Sequence, residues 1–264
     1  MNILKSLDGR RAGFGPNGEL IVTSGKILLG ANGGQRWLGS KQVVSHFDDF
    51  LGNALNVQYT VVEGTDSATS APSILAGGIG GVLRLTTGDA GTGLAADLIQ
   101  VNGGNLQWQA SNGGLYFETR LKLSQITESY VFVGFTDVLT LEAPIISAAS
   151  ADTFTTNASD AVGFMFDTGM ATDNWWLTGV AANTDATMQD STYAPVAATY
   201  ETLRVEVSAT GKATFFRNGV QVGTQMSGAV TAATDLCWTI GAGKLSTATS
   251  MTVDFDYIDV GMYR

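Results

Sequence analysis

A single cysteine, Cys237, stands in 264 residues, so an internal disulfide and a thiolate metal cluster are both excluded. One histidine, His46, excludes a His-rich metal centre and leaves room for at most one catalytic imidazole. Charge is scarce: Asp, Glu, Lys and Arg make up 14% of the chain, against about a quarter in ordinary soluble domains. Positive charge is scarcer still, with 14 Lys+Arg against 24 Asp+Glu and a formal net charge of −10, a balance ill suited to nucleic acid. No apolar run is long enough to span a bilayer; Ile74 to Leu83, the longest nearly uncharged one, carries four glycines. Residues 1–20 lack the apolar block of a secretory signal. These absences predict a soluble, disulfide-free protein made in a cytoplasm, binding neither membrane nor nucleic acid.

Enzymatic signatures are missing as well. Gly77-Gly78-Ile79-Gly80-Gly81 is followed by no Lys-Ser/Thr and no helix, so it is no phosphate loop. His46-Phe47-Asp48-Asp49 could suggest a His–Asp pair, but adjacent residues on a strand face opposite ways and no serine sits in a G-x-S-x-G elbow. Cys237, between Leu236 and Trp238, reads as a core thiol. No enzyme and no cofactor are expected. Asp167-Thr168-Gly169 and Asp173-Asn174 are the oxygen-rich exception, a loop composition that can hold Ca²⁺. Glycine is abundant, at 33 residues, and mean hydropathy is +0.13. A surface so poor in charge is expected to be covered by other subunits.

The charge that exists is unevenly placed. Residues 1–44 hold Lys5, Arg10, Arg11, Lys26, Arg36 and Lys41 against Asp8 and Glu19, a net of +4, while 45–264 carry a net of −14. The first segment has nine glycines and two short apolar runs, Leu20–Val22 and Ile27–Leu29, too little for a core of its own. It reads as an extended basic N-terminal arm, ordered by docking, on an acidic body over 45–264.

The body reads as β throughout. Leu115–Leu123 alternates, with Leu115, Phe117, Thr119, Leu121 and Leu123 on one face and Tyr116, Glu118, Arg120 and Lys122 on the other. Leu203–Val207 repeats this, and Asn218-Gly219 between two strand-like runs predicts a tight hairpin. Further strands are predicted at 55–62, 82–86, 106–109, 130–135, 162–166, 175–180, 236–240 and 252–260. Residues 64–73 and 143–160 are small and weakly polar and read as long rim loops. No helical stripe and no fixed repeat are present, so the class is all-β, an antiparallel sandwich or barrel.

Three segments carry a family resemblance. Phe117–Leu123 followed by Tyr130–Asp137 (YVFVGFTD), the hairpin Leu203–Val222 and the closing strand Val253–Val260 (VDFDYIDV) are similar to the concanavalin A-like lectin/glucanase jelly roll, including its laminin G-like members. The resemblance implies an antiparallel jelly-roll β-sandwich. Asp254-x-Asp256-x-x-Asp259 echoes the E-x-D-x-x-E of the family's glucanases. In a regular strand Asp254 and Asp256 share a face and Asp259 opposes them, so only a bulge would gather all three. Trp175-Trp176 offers one ring outward, as a glycan platform or an interface anchor.

Gly9–Gly13 and Asn17–Val22 resemble the start of small structural proteins of tailed bacteriophages, among which jelly rolls with arms serve as head-decoration proteins and fibre modules. That resemblance implies a virion structural protein, a capsid decoration (cement) protein. It would attach through Arg10, Arg11, Arg36 and Trp37 to the major capsid protein, other virion proteins or an adjacent copy, as a homo-oligomer for which a trimer fits capsid threefolds. The alternative it implies is a tail-fibre or spike module binding host-surface glycan.

Overall fold

Leu115–Leu123 is a nine-residue strand whose members alternate between buried and half-buried, as its side-chain pattern requires. The computed structural model describes the backbone of Ile3–Lys5, Arg11–Phe14 and Leu20–Val22, and residues 43–66, 69–77, 80–246 and 249–263. The chain divides into Met1–Val44 and Ser45–Tyr263. In the first unit, β1 (Ile3–Lys5), β2 (Arg11–Phe14) and β3 (Leu20–Val22) form an antiparallel meander.

The later strands are β4 (Val43–Asp48), β5 (Thr60–Glu63), β6 (Ala71–Ile74), β7 (Leu83–Thr86), β8 (Ile99–Asn102), β9 (Leu115–Leu123), β10 (Ser129–Thr136), β11 (Ile146–Ser150), β12 (Thr153–Thr156), β13 (Ala161–Asp167), β14 (Trp175–Ala181), β15 (Thr184–Asp185), β16 (Gln189–Asp190), β17 (Glu201–Val207), β18 (Ala213–Arg217), β19 (Val220–Met226), β20 (Cys237–Lys244) and β21 (Thr252–Tyr263). They make an antiparallel sandwich. Sheet I runs β15-β14-β13-β10-β20-β8-β5, with β16 beside β14; sheet II runs β19-β18-β17-β9-β21-β7-β6, with β4 beside β21.

Aromatic rings interlock the two sheets. Phe117 of sheet II meets Phe135 of sheet I edge-on at 6.0 Å, and Phe215 meets Phe164 at 5.3 Å. Such contacts add to the ~1.5–3 kcal/mol that full burial of each ring contributes. Gly134 and Gly163 pair across β10 and β13, and a Cβ on either would lie 2.2 Å from a carbonyl oxygen of the facing strand. At the β18–β19 hairpin, Asn218 (φ 50°) and Gly219 (φ 77°) take the left-handed conformation of a two-residue type I′ turn.

Several strand limits differ from the sequence expectation. The segment 55–62 contributes only β5, because Tyr59 turns back onto Asn56 before pairing begins. Residues 106–109 give one isolated pairing, Trp108 with Leu236. Strand β8 has no counterpart in the expected set, and the supposed rim loop 64–73 contains most of β6, which pairs with β7.

The largest correction concerns 143–160, expected as a rim loop. It holds the β11–β12 hairpin and forms a strap over the outer face of sheet I. That face carries Leu98, Tyr130, Phe132, Met165 and Val180, and water cannot be left against it. Ile145, Ile146 and Ala158 of the strap are buried on it. Amides of the sheet hold the backbone that leads into the strap: Gln100 Nε2 donates to Leu141 O at 2.8 Å and Asn102 Nδ2 to Leu139 O at 2.8 Å. Asp167 accepts the Ala148 N–H at 2.8 Å and the Gly169 N–H at 2.8 Å. Burial pushes the Asp167 carboxyl above its ordinary range, although those two N–H groups pull the other way.

Candidate functional site

The outer face of sheet II carries a cluster of paired charges. Strand β21 slips register between Phe255 and Tyr257, and Asp256 is the extra residue of a β-bulge. Val253, Phe255, Ile258 and Val260 therefore all reach the core, while Asp254, Asp256 and Asp259 share the outer face. The condition set by the sequence spacing is met. Each carboxylate is, however, already engaged. Asp254 takes a bidentate bond from Arg84 (2.6 and 2.9 Å) and one from Lys122 at 3.2 Å; Asp256 pairs with Arg120 at 2.7 Å; Asp259 accepts the Tyr116 hydroxyl at 3.1 Å.

The same ladder continues across β9 and β17. Arg204 bridges Glu118 (3.6 Å) and Glu206 (2.5 Å), and Tyr257 donates to Glu118 at 2.8 Å. The Tyr200 ring lies under Arg120 and Lys122, at 4.3 and 4.8 Å. Burial would raise Asp254, but the Arg84 and Lys122 bonds hold it below the ordinary carboxylate range. A glycosidase's general acid needs the opposite shift. Chemically this face is a cross-strand ion-pair ladder, which stabilises the sheet.

The tryptophan pair separates as a strand demands. Trp175 is 0% exposed, wedged against Phe164 and Phe166, and its Nε1–H donates to Glu201 Oε1 across the sandwich at 2.9 Å. Glu201 is itself buried and paired with Arg217. Trp175 is thus a core residue, and the expectation of an outward platform there is corrected by its burial. Trp176 is half-exposed on the strap side of sheet I, edge-on to Phe154 at 5.5 Å. Beside it Asp190 accepts from Thr172 (2.8 Å), Asn174 (2.9 Å) and the Thr192 N–H (2.6 Å). Burial alone would raise Asp190; those donors keep it below the ordinary range, hence ionised. Sequence reading missed Phe154, Met188 and Asp190 here. One signal was available: between Lys122 and Arg204 the chain has ten acidic residues and no basic one.

Of the arm residues, Arg10, Arg36 and Trp37 lie outside the described residues, and Arg11 opens β2. His46 is held by a hydrogen-bonded chain: Tyr59 gives its one hydroxyl proton to Asp48 at 2.6 Å, so the His46 Nε2–H donates to the Tyr59 oxygen at 2.7 Å. Burial, then Asp48, drives the Tyr59 hydroxyl far above its ordinary range. Cys237 is buried, accepts the Gly103 N–H at 3.2 Å, and its thiol is pushed up to about 11 by burial. It is a core thiol. Among the described residues no group of three or more His, Cys, Asp and Glu could hold a metal ion.

Asp137 and Asp160 make a like-charge pair at the end of sheet I. Burial raises the Asp137 carboxyl, the Asp160 backbone opposing it and the Asp160 charge adding to it, and the Asp137 Oδ1 is buried without a partner. The Asp137→Asn variant is expected to be about 1 kcal/mol more stable at neutral pH, read from denaturant midpoints. A loss of stability in that variant would mean that the charge is wanted there.

No family model and no curated sequence matches the chain. Solved structures do. A Bacillus licheniformis β-glucanase superposes with a TM-score of 0.55 at 11% identity, over 82% of this chain and 97% of that one. The fold is the concanavalin A-like jelly roll. The carbohydrate recognition domain of Emp47p gives 0.55 at 9% identity, over 84% of this chain and 98% of that one. A Shewanella oneidensis protein of unknown function gives 0.52 at 14%, over 83% and 86%. Hydrolase and lectin are matched alike, so what is shared is the fold, and function has to be argued from the surfaces.

Proposed function

We propose that the protein is a structural component of a tailed-bacteriophage virion, a capsid decoration protein attached through its basic N-terminal segment, and that it is not an enzyme. The observation that carries this reading is the closure of both sheet faces. The strap packs apolar side chains over sheet I, and on sheet II the three aspartates that echo the glucanase spacing, Asp254, Asp256 and Asp259, are taken up by Arg84, Lys122, Arg120 and Tyr116 rather than left free for catalysis. What the chain offers instead is a stable β shell and a segment of net +4 ahead of a body of net −14. Arginines at 10, 11 and 36 would bind a virion partner's carboxylates in bidentate fashion.

Particle association tests it. Full-length protein carrying Arg10→Gln, Arg11→Gln and Arg36→Gln, and a chain lacking residues 1–44, are both expected to stop co-sedimenting with capsids while still melting cooperatively. Normal decoration by either would sink the attachment model. A second reading, a glycan-binding tail-fibre module, draws on half-exposed Trp176 and on lectin-type neighbours, among them peanut lectin (TM-score 0.50, 10% identity, over 83% of this chain and 97% of that one). Glycan-array signal abolished by Trp176→Ala would favour it. Release of reducing ends from β-glucan, abolished by Asp256→Asn, would instead establish an enzyme.

A further inference from the structure

Trp176, Phe154 and Met188 form a half-exposed apolar recess, packed from below against the buried cluster under the strap. Its rim is acidic. Asp152 is exposed at the β11–β12 turn, Asp173 is exposed in the β13–β14 loop, and Asp190 lies beside Trp176. The two loops are joined where Ala171 N–H donates to Ala151 O, and Trp176 Nε1–H points to Thr172 O at 3.4 Å, so the turn that carries Asp152 and the loop that carries Asp173 meet beside the Trp176 ring. No basic residue lies anywhere in the chain between Lys122 and Arg204 to neutralise them. Asp190 is kept ionised by its donors, as described above.

We infer that this recess is the docking site for the arginine-bearing N-terminal segment of a second copy of the chain. An aromatic face ringed by carboxylates fits a guanidinium: the ring quadrupole attracts the cation, the carboxylates accept its N–H groups, and the methylene stem covers Phe154 and Met188. A neutral sugar would leave the rim charges unanswered. Charge complementarity selects the occupant. Five of the body's bases, Arg84, Arg120, Lys122, Arg204 and Arg217, are spent in internal ion pairs, and Lys244 is buried on Thr127 O. The segment 1–44, by contrast, carries six bases against two acids and includes the adjacent pair Arg10-Arg11. It is present at the recess's own concentration in any assembly of copies. Exchange of such a segment between copies builds a symmetric oligomer at little loss of stability.

This deepens the proposed function by naming where the attaching segment goes, and it is tested in solution without particles. Sedimentation velocity of the full chain is expected to show self-association at 50 mM salt that weakens at 500 mM. Trp176→Ala, the double variant Asp152→Asn/Asp173→Asn, and Arg10→Glu/Arg11→Glu are each expected to weaken it about tenfold or more while the chain still melts cooperatively. Mixing Arg10→Glu/Arg11→Glu chains with Asp152→Lys/Asp173→Lys chains should restore assembly, because both sides of the contact are then reversed. Three results overturn the inference: a monomer at every salt concentration, undiminished assembly in the recess variants, or glycan binding at Trp176 without self-association. Any of them, combined with loss of capsid co-sedimentation in the arginine variants, would leave the attachment role standing on another surface.

Discussion

Trp175→Ala is expected to destabilise the fold by about 4 kcal/mol, lowering the melting temperature by roughly 10 °C in a chain of this size. Two losses add. The ring is fully buried between Phe164 and Phe166, so its removal leaves a cavity in a core that relaxes only partly. Its Nε1–H is also a donor to Glu201, a buried carboxylate that would be left with Arg217 alone. Trp175→Phe keeps most of the volume and removes the donor, and should cost about 1–2 kcal/mol, isolating the hydrogen bond. Trp176→Ala, one residue on, should cost far less, because that ring is only partly buried. Equal losses at the two positions would contradict the assignment of inner and outer faces in β14.

Asp254→Ala should cost about 2–3 kcal/mol, the second-largest effect expected. Asp254 is 2% exposed and answers both Arg84 and Lys122, so its removal leaves two cations facing each other unanswered. The figure is set toward the lower end for a broken buried pair because the Arg84 side chain is one-third exposed. Asp254→Asn, which keeps the shape, should cost less. The pH dependence has a definite sign. The folded-state carboxyl of Asp254 is depressed, so its contribution is complete above the ordinary carboxylate range and is lost as acid lowers the pH through that range to the depressed value. Asp167 and Asp137 are raised, so theirs is present below the ordinary range and lost as pH rises through their folded-state values. Acid titration of stability in Asp254→Asn should therefore be flatter than in the parent chain. An unchanged acid limb would show that the ladder contributes nothing.

Legibility varied with how local the deciding physics was. Leu115–Leu123 and Leu203–Val207 were readable because sheet II is buried on one face only, and a one-sided strand alternates strictly. Ser129–Thr136 and Ala161–Asp167 carry a signal of a different kind. They are buried along their whole length, a pattern of strands covered on both faces. That pattern requires a cover for sheet I, and 143–160 supplies it. The segment's small, weakly polar composition reads as a loop when taken alone. Its few apolar residues, Ile145 and Ile146 among them, gain their meaning only against Tyr130, Phe132 and Met165.

The amino-acid sequence by itself determined the all-β class, the alternating faces of sheet II, the Asn218-Gly219 turn, and the basic start on an acidic body, since each depends on neighbours within a few residues or on composition. Tertiary structure alone decided the rest. The bulge at Asp256 arises because β21 must keep Phe255 and Ile258 in the core while remaining paired to β9, and it is the bulge that places three aspartates on one face. Which cation meets each aspartate, which of two adjacent tryptophans is buried, and where the turn at Ala151 meets the loop at Ala171 are contacts between segments distant along the chain. Such contacts are set by packing and desolvation across the sandwich, energies that exist only once the sheets have come together.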